Sequence, residues 1–399
     1  MAEINKLAIV GAGVMGHGIA AVAAISGQSV NITDIKREFL EHAKGQISTS
    51  VAKLSEKGTI KEKPEEIVRR IQFTTDLSQA VRDVDLVIEA VSENLQLKSK
   101  ILGDIEKYAS PRAIIATNTS GLSINMLSEA TRRPDRFIGM HWFNPPVLNP
   151  MVEIVKSDRT SDAVVHAIID ACKRYKKITV VAKKDVWFFL VVRAQAGWHL
   201  EGALMVNAGR ASVQEIDAMV RYKLGLAMGP FETADLTGAA ELRYTGLEST
   251  KKILKTSPSF EPWPALLAAF ELVVDKFYKP MTEKGLVGIK SGKGFYTYPG
   301  PGKYRKVDLP REASDKVNPI EMLAVAANTS AWCVTNGVGT IDEVDLSYRQ
   351  AYNWPKGIFQ FVKEYGVRNI IEQLENKQKS APESIKGLYE PDPLLAKLT

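Results

Sequence analysis

The sequence predicts an α/β fold: a doubly wound, mainly parallel sheet followed by all-α C-terminal domains, the second an internal repeat of the first. Three observations carry this. Short β-branched runs alternate with helical spans as far as about residue 182. From about Asp185 the strand signal fades and helical periodicity takes over. Beyond residue 300, positions of the first helical region recur at a fixed offset.

The first strand, Lys6–Val10, runs directly into Gly11-Ala-Gly-Val-Met-Gly16, which has G-x-G-x-x-G spacing. Gly11 permits a tight turn off the strand, Gly13 leaves room for a ligand to approach the backbone, and Gly16 lets the next helix pack on the sheet. The helix, Val14–Ser26, starts with N–H groups that suit phosphate oxygens. Gly27, a second strand (Ser29–Thr33) and Asp34 follow. Asp34 lies 23 residues after Gly11, where a carboxylate accepts hydrogen bonds from an adenosine ribose. This is a Rossmann-like, dinucleotide-binding pattern. Asp34 would repel a 2′-phosphate, which favours NAD over NADP, with Lys36 and Arg37 as opposing charges nearby.

Helical spans at Arg37–Lys57 and Pro64–Arg70 come next. Strands are expected at Val84–Val91, Ala113–Thr117, Phe137–Met140, Val152–Val155 and Ile178–Ala182. Trp198–Ala208 and Val213–Leu224 read as amphipathic helices, and Gly292–Tyr296 and Pro299–Gly302 as turns. At an offset of 128, Ile216-Asp217 matches Val344-Asp345, Gly229 matches Gly357, Phe231 matches Phe359 and Gly238 matches Gly366. At 129, Phe260–Pro264 matches Tyr389–Pro393. The expected domains are therefore 1–184, 185–300 and a partial repeat, 301–399. The copy stops before any equivalent of Gly292–Tyr296, which fits a naturally short chain or one part of a longer fusion.

Composition narrows the partners. Of 399 residues, 45% are hydrophobic and 25% charged, enough for real cores in a soluble chain. The net charge of +6 fits a solvated basic surface or an anionic ligand. No stretch interleaves Lys/Arg with aromatics, which argues against nucleic acid. The longest fully apolar run, Val186–Val192, is too short to span a bilayer. Cys172 and Cys333 stand alone without metal spacing, and the first strand leaves no room for a signal peptide. The expectation is a cytoplasmic protein without metal.

Three polar residues stand at or near expected strand ends: Ser120 after Ala113–Thr117, His141 after Phe137–Met140, and Glu153 within the next strand. Ligands of open α/β sheets bind at the carboxyl ends of strands. Oxidising an alcohol with NAD needs a base for the hydroxyl proton, which suits His141, and a carboxylate behind it would fix its tautomer.

At this point the chain resembles the 3-hydroxyacyl-CoA dehydrogenase family over residues 4–300. The matching stretches are Gly11–Gly16, Val87–Asn94, Thr117–Ser120, Gly139–Pro145, Met228–Glu232 and Ser291–Tyr296. The resemblance implies that Glu93, Lys98, Ser120, Asn144 and Lys290 contact NAD. It implies that Ser50 and Lys57, on the long helical arm, hold the coenzyme A of an acyl-CoA substrate. His141 and Glu153 match the family's catalytic His–Glu pair. The activity implied is NAD-dependent oxidation of a (3S)-hydroxyacyl-CoA to the 3-oxoacyl-CoA, in fatty-acid or short-chain acyl-CoA metabolism.

One segment departs. Where the family reads Pro-Gly-Phe-Ile-Val-Asn-Arg, this chain reads Trp187-Phe-Phe-Leu-Val-Val-Arg193, so Val192 replaces the catalytic-site Asn. Losing one positioned donor costs roughly 3 kcal/mol of transition-state stabilisation. A catalytically weakened NAD/CoA-binding homologue, or a dehydrogenase of free hydroxy acids, are the alternatives. The family pairs two subunits through its helical domain. A second copy here would occupy that surface, so the chain is expected to be a monomer with an internal pseudo-dimer.

Overall fold

The computed structural model describes residues 3–398. The chain divides into two compact units, with the break between Asp185 and Val186. In the first, eight strands form one sheet in the order β3-β2-β1-β4-β5-β6-β7-β8. They are β1 (Lys6–Val10), β2 (Ser29–Thr33), β3 (Ile71–Thr74), β4 (Leu86–Glu89), β5 (Ile114–Thr117), β6 (Phe137–Trp142), β7 (Met151–Val155) and β8 (Ile178–Ala182). Seven helices flank them: α1 (Val14–Ile25), α2 (Arg37–Glu56), α3 (Pro64–Arg69), α4 (Leu77–Val81), α5 (Leu95–Tyr108), α6 (Ile124–Ser128) and α7 (Asp162–Arg174). Strands covered on both faces need continuous apolar runs, and β4, β5, β6 and β7 are buried at every position. Helix α2 instead buries one stripe, Leu40, Ala43, Ile47 and Val51, at helical spacing.

Three departures from the sequence reading have physical causes. Strand β3 was not expected: it is a four-residue edge strand, half exposed, and too short to show a pattern. Strand β4 is four residues rather than eight, because the chain leaves the sheet at Ala90 to pass under the Gly11 turn. Strand β6 runs two residues past Met140, so His141 sits inside the strand's end rather than after it. The β6–β7 connection is too short for a crossover helix, so β7 turns back antiparallel while every other neighbouring pair is parallel. That reversal sets His141 directly opposite Glu153.

The second unit is helical: α8 (Val191–Asn207), α9 (Val213–Lys223), α10 (Pro230–Thr237), α11 (Ala239–Leu254), α12 (Pro264–Val273), α13 (Lys279–Glu283), α14 (Pro319–Thr335), α15 (Ile341–Ala351), α16 (Ile358–Tyr365) and α17 (Val367–Ser380). Helix α8 begins seven residues before the expected Trp198, since its first two turns are buried nearly all round, polar Arg193 and Gln195 included, so that polar positions mark no exposed face. Helices α14 to α17 start 128 residues after α8 to α11, at 191→319, 213→341, 230→358 and 239→367. Local bonding recurs with the same offset. Asp217 accepts the Phe231 N–H at 3.1 Å, and Asp345 accepts the Phe359 N–H at 2.9 Å. Capping boxes start α9 at Ser212 and α15 at Thr340. The described residues from Val186 onward form one compact unit that holds both sets of helices.

Candidate active site

The strand order reverses between β1 and β4, which opens the crevice of a doubly wound sheet at the Gly11 turn. Gly11 has φ +108°, and a Cβ there would stand 2.6 Å from the Ala90 carbonyl oxygen. A Cβ on Gly16 would stand 1.8 Å from the Gly11 oxygen, so the helix can approach the turn only without one. Gly13 differs: its Cβ would meet nothing within 4 Å, which leaves its backbone open to an approaching group. No side chain caps α1 at Gly13 and no acid lies in its first turn, so its leading N–H groups favour an anion. Asp34, at the end of β2, accepts the Ala12 N–H and its neighbour Ile35 N–H, each at 2.7 Å. A carboxylate has about four acceptor positions, so the remainder suit ribose hydroxyls. The cradle therefore fits a dinucleotide from adenosine ribose to pyrophosphate.

On the other side of the switch point stand His141 and Glu153. His141 is 6% exposed and Glu153 is fully buried, with His141 Nδ1 2.8 Å from Glu153 Oε2. A carboxylate only accepts, so Nδ1 carries the proton and Nε2 is the basic atom. The Trp142 N–H donates to Asn118 Oδ1 at 2.9 Å, tying the end of β6 to the loop after β5.

That loop also carries Ser120, bound to Glu93. Glu93 Oε1 accepts the Thr119 hydroxyl at 2.6 Å, the Ser120 N–H at 2.9 Å and the Ser120 hydroxyl at 3.3 Å. Lys98, near the start of α5, is 1% exposed and turned to protein acceptors. It donates to Glu89 at 2.8 and 3.1 Å and to the Val91 carbonyl at 3.1 Å, and pairs with Glu93 at 3.4 Å. Burial alone would discharge this lysine, but the carboxylates of Glu89 and Glu93 outweigh it and hold the pKa above its ordinary value. Glu89 and Thr117, whose hydroxyl donates to Glu89 at 2.6 Å, escaped the sequence reading. Glu89 lies inside the stretch Val87–Asn94, where an acid that ends an apolar strand is the signal the sequence offers, and the structure buries it fully.

The remaining residues are placed less closely. Asn144 is exposed just beyond β6. Ser50 is half-buried on α2, and Lys57 is exposed at its C-terminal cap, seven residues on and so on the same helical face. Lys290 belongs to the second unit, where its ammonium pairs with Glu241 at 2.9 Å and its side chain is 71% exposed. Val192 occupies the first turn of α8. Ahead of it, Phe188 and Phe189 have φ of +67° and +54°, the left-handed region that glycine adopts without cost. Phe188 stacks on Trp187 at 4.1 Å between ring centroids, and Phe270 meets the pair edge-on at 5.0 and 5.3 Å. This packing offsets the backbone strain.

Among the described residues, no group of His, Cys, Asp and Glu could hold a metal, and no helix is long and apolar enough to cross a membrane. The family model for the 3-hydroxyacyl-CoA dehydrogenase NAD-binding domain matches residues 6–186, and that for the C-terminal domain matches 189–298. A probable 3-hydroxybutyryl-CoA dehydrogenase of Deinococcus radiodurans is 36% identical over 73% of this chain and all of its own length. The solved (S)-3-hydroxybutyryl-CoA dehydrogenase of Ralstonia eutropha is 31% identical, with TM-score 0.64 over 74% of this chain and 99% of that one. The 3-hydroxybutyryl-CoA dehydrogenase of Escherichia coli shares the fold over 99% of this chain and 98% of its own, with TM-score 0.82 at 21% identity. The dinucleotide cradle and the buried His–Glu pair thus stand in a chain that belongs to the 3-hydroxyacyl-CoA dehydrogenase family, an NAD-dependent oxidoreductase.

Proposed function

We propose that this chain interconverts short-chain (3S)-3-hydroxyacyl-CoA and 3-oxoacyl-CoA thioesters, with His141 as the base. The observation that carries this is the 2.8 Å His141–Glu153 contact at the carboxyl end of β6. In the oxidation, His141 Nε2 takes the proton of the substrate hydroxyl. Glu153, facing Nδ1–H across the strand pair, holds the ring in the required tautomer. Ser120 supplies a hydroxyl contact, with its loop held by Glu93 and Asn118. NAD, when bound, accepts the hydride that leaves the carbinol carbon. Gly11, Gly13, Gly16, Asp34, Glu93, Ser120 and Asn144 are assigned to the cofactor, with Lys98 behind Glu93. Ser50 and Lys57 are assigned to coenzyme A, where the lysine suits a phosphate. NADH oxidation driven by acetoacetyl-CoA tests the reading, and no turnover above background would overturn it.

Val192 is expected to limit the rate, since a valine donates no hydrogen bond. Val192→Asn should raise turnover by roughly tenfold or more, the low end of what one positioned donor supplies. The full gain should come once Trp187-Phe188 is also returned to Pro-Gly. A rate in Val192→Asn equal to the parent's would show that another group already fills the position.

We also propose that the chain is a cytoplasmic monomer, its two buried free cysteines suiting a reducing compartment. Helix α14 packs along α8. Gly197 faces Val325, its own counterpart at offset 128: a Cβ there would stand 2.3 Å from the Val325 oxygen. Thr329, Ser330 and Tyr348 all donate to the Ala194 carbonyl, at 2.8, 3.0 and 2.9 Å. A surface closed on its own copy leaves less of itself free for an isologous partner. Sedimentation at micromolar concentration should return 44.0 kDa. A concentration-independent mass twice that value would contradict the proposal.

A further inference from the structure

The crevice carries an electrical asymmetry that the reaction scheme does not use. Two carboxylates, Glu89 and Glu93, share one ammonium, that of Lys98. The lysine stands closer to Glu89, at 2.8 Å, and Glu89 is fully buried with two further donors, the Thr117 hydroxyl and the Val91 N–H at 2.7 Å. Glu89 and Lys98 therefore close on each other as a neutral buried pair. The unbalanced charge falls on Glu93, whose side chain is 30% exposed and whose Oε1 is bonded to the Ser120 loop.

A dinucleotide that starts at Asp34 on β2 and crosses the Gly11 turn at β1 continues over β4 and β5. Glu93 and Ser120, on the side of His141, would then meet its far half. That half is the nicotinamide, a cation when oxidised and neutral when reduced. We propose that Glu93 is the residue by which this protein discriminates the redox state of its cofactor, its carboxylate binding the oxidised ring more tightly than the reduced one. Glu89 and Lys98 are positioning residues: they hold the Glu93 carboxylate on the loop and neutralise all but one charge. The inference rests on the dehydrogenase reading, but it is tested without turnover. The same asymmetry pulls the equilibrium on the protein toward oxidised cofactor, so bound NADH is the stronger reductant.

The experiment is binding: titrate NADH by its fluorescence and NAD by competition, in wild type, Glu93→Gln and Glu93→Ala. Both variants should lose affinity for NAD more than for NADH, shifting the ratio of the two dissociation constants on the order of tenfold, or about 1.4 kcal/mol. Ser120→Ala removes a hydrogen bond but no charge, and should leave the ratio unchanged. Equal loss for both cofactor forms in the Glu93 variants would overturn the proposal. A ratio that moves as far in Ser120→Ala would overturn it too, by assigning the effect to hydrogen bonding. Absence of turnover in a protein that still shows the shift would refute the dehydrogenase reading and leave this one standing.

Discussion

His141→Gln is expected to lower turnover with acetoacetyl-CoA and NADH by at least about two orders of magnitude, the usual worth of a general base. NADH affinity should change little, because the histidine stands across the crevice from the glycine turn that holds the phosphates. Gln fills similar space and can donate to Glu153, so the buried carboxylate keeps a partner and the fold should survive. It has no basic atom to take the hydroxyl proton. Steady-state kinetics beside an NADH titration make the check. Unchanged turnover would remove His141 from the mechanism, and parallel loss of turnover and NADH binding would make its role structural.

The second large effect comes from a pair of glycines three residues apart that should behave in opposite ways. Gly16→Ala places a methyl 1.8 Å from the Gly11 carbonyl oxygen, a backbone atom that cannot swing aside. The helix must then lift from the turn, at a cost of roughly 3 kcal/mol or more, in the range of severe overpacking. Gly13→Ala meets no protein atom within 4 Å, so the variant should fold with unchanged stability. What the methyl occupies is the approach to the α1 N-terminus, so NADH binding should weaken at least about tenfold, as one misplaced contact on a phosphate does. Thermal melts and NADH titrations of the two variants separate the cases. Equal melting temperatures would contradict the close packing at Gly16, and wild-type NADH affinity in Gly13→Ala would contradict the cradle.

The first βαβ unit was legible because each signal was local. Strands β1 and β2 end where the glycine turn and Asp34 say they must. Helix α2 shows its stripe in four residues. Strand β3 was not legible, since a short edge strand is defined by its neighbour rather than by its own pattern. Helix α8 starts two turns ahead of its sequence signal for the opposite reason: Val191–Ala196 is buried on nearly all sides, and its polar Arg193 and Gln195 are buried with the rest, so no exposed face sets a period. In the site, a histidine and a glutamate twelve residues apart could be named as partners, but their register depends on β7 turning antiparallel. Glu89 and Thr117 remained hidden because a buried acid is recognisable only by the lysine and hydroxyl it meets, nine and 28 residues away. The strain at Phe188 and Phe189 likewise has no local signature: nothing in two aromatic residues announces a left-handed backbone.

In the proposed reaction, His141, Glu153 and the dinucleotide cradle act on a 3-oxoacyl group carried by coenzyme A. The most direct test follows NADH oxidation at neutral pH with acetoacetyl-CoA and with free acetoacetate, in parallel. Saturable turnover is expected with the thioester, lost in His141→Gln, with a kcat/KM for the free acid lower by at least about a hundredfold, as removal of a binding handle worth about 3 kcal/mol requires. Equal kcat/KM values for the two substrates, or turnover that survives in His141→Gln, would contradict it.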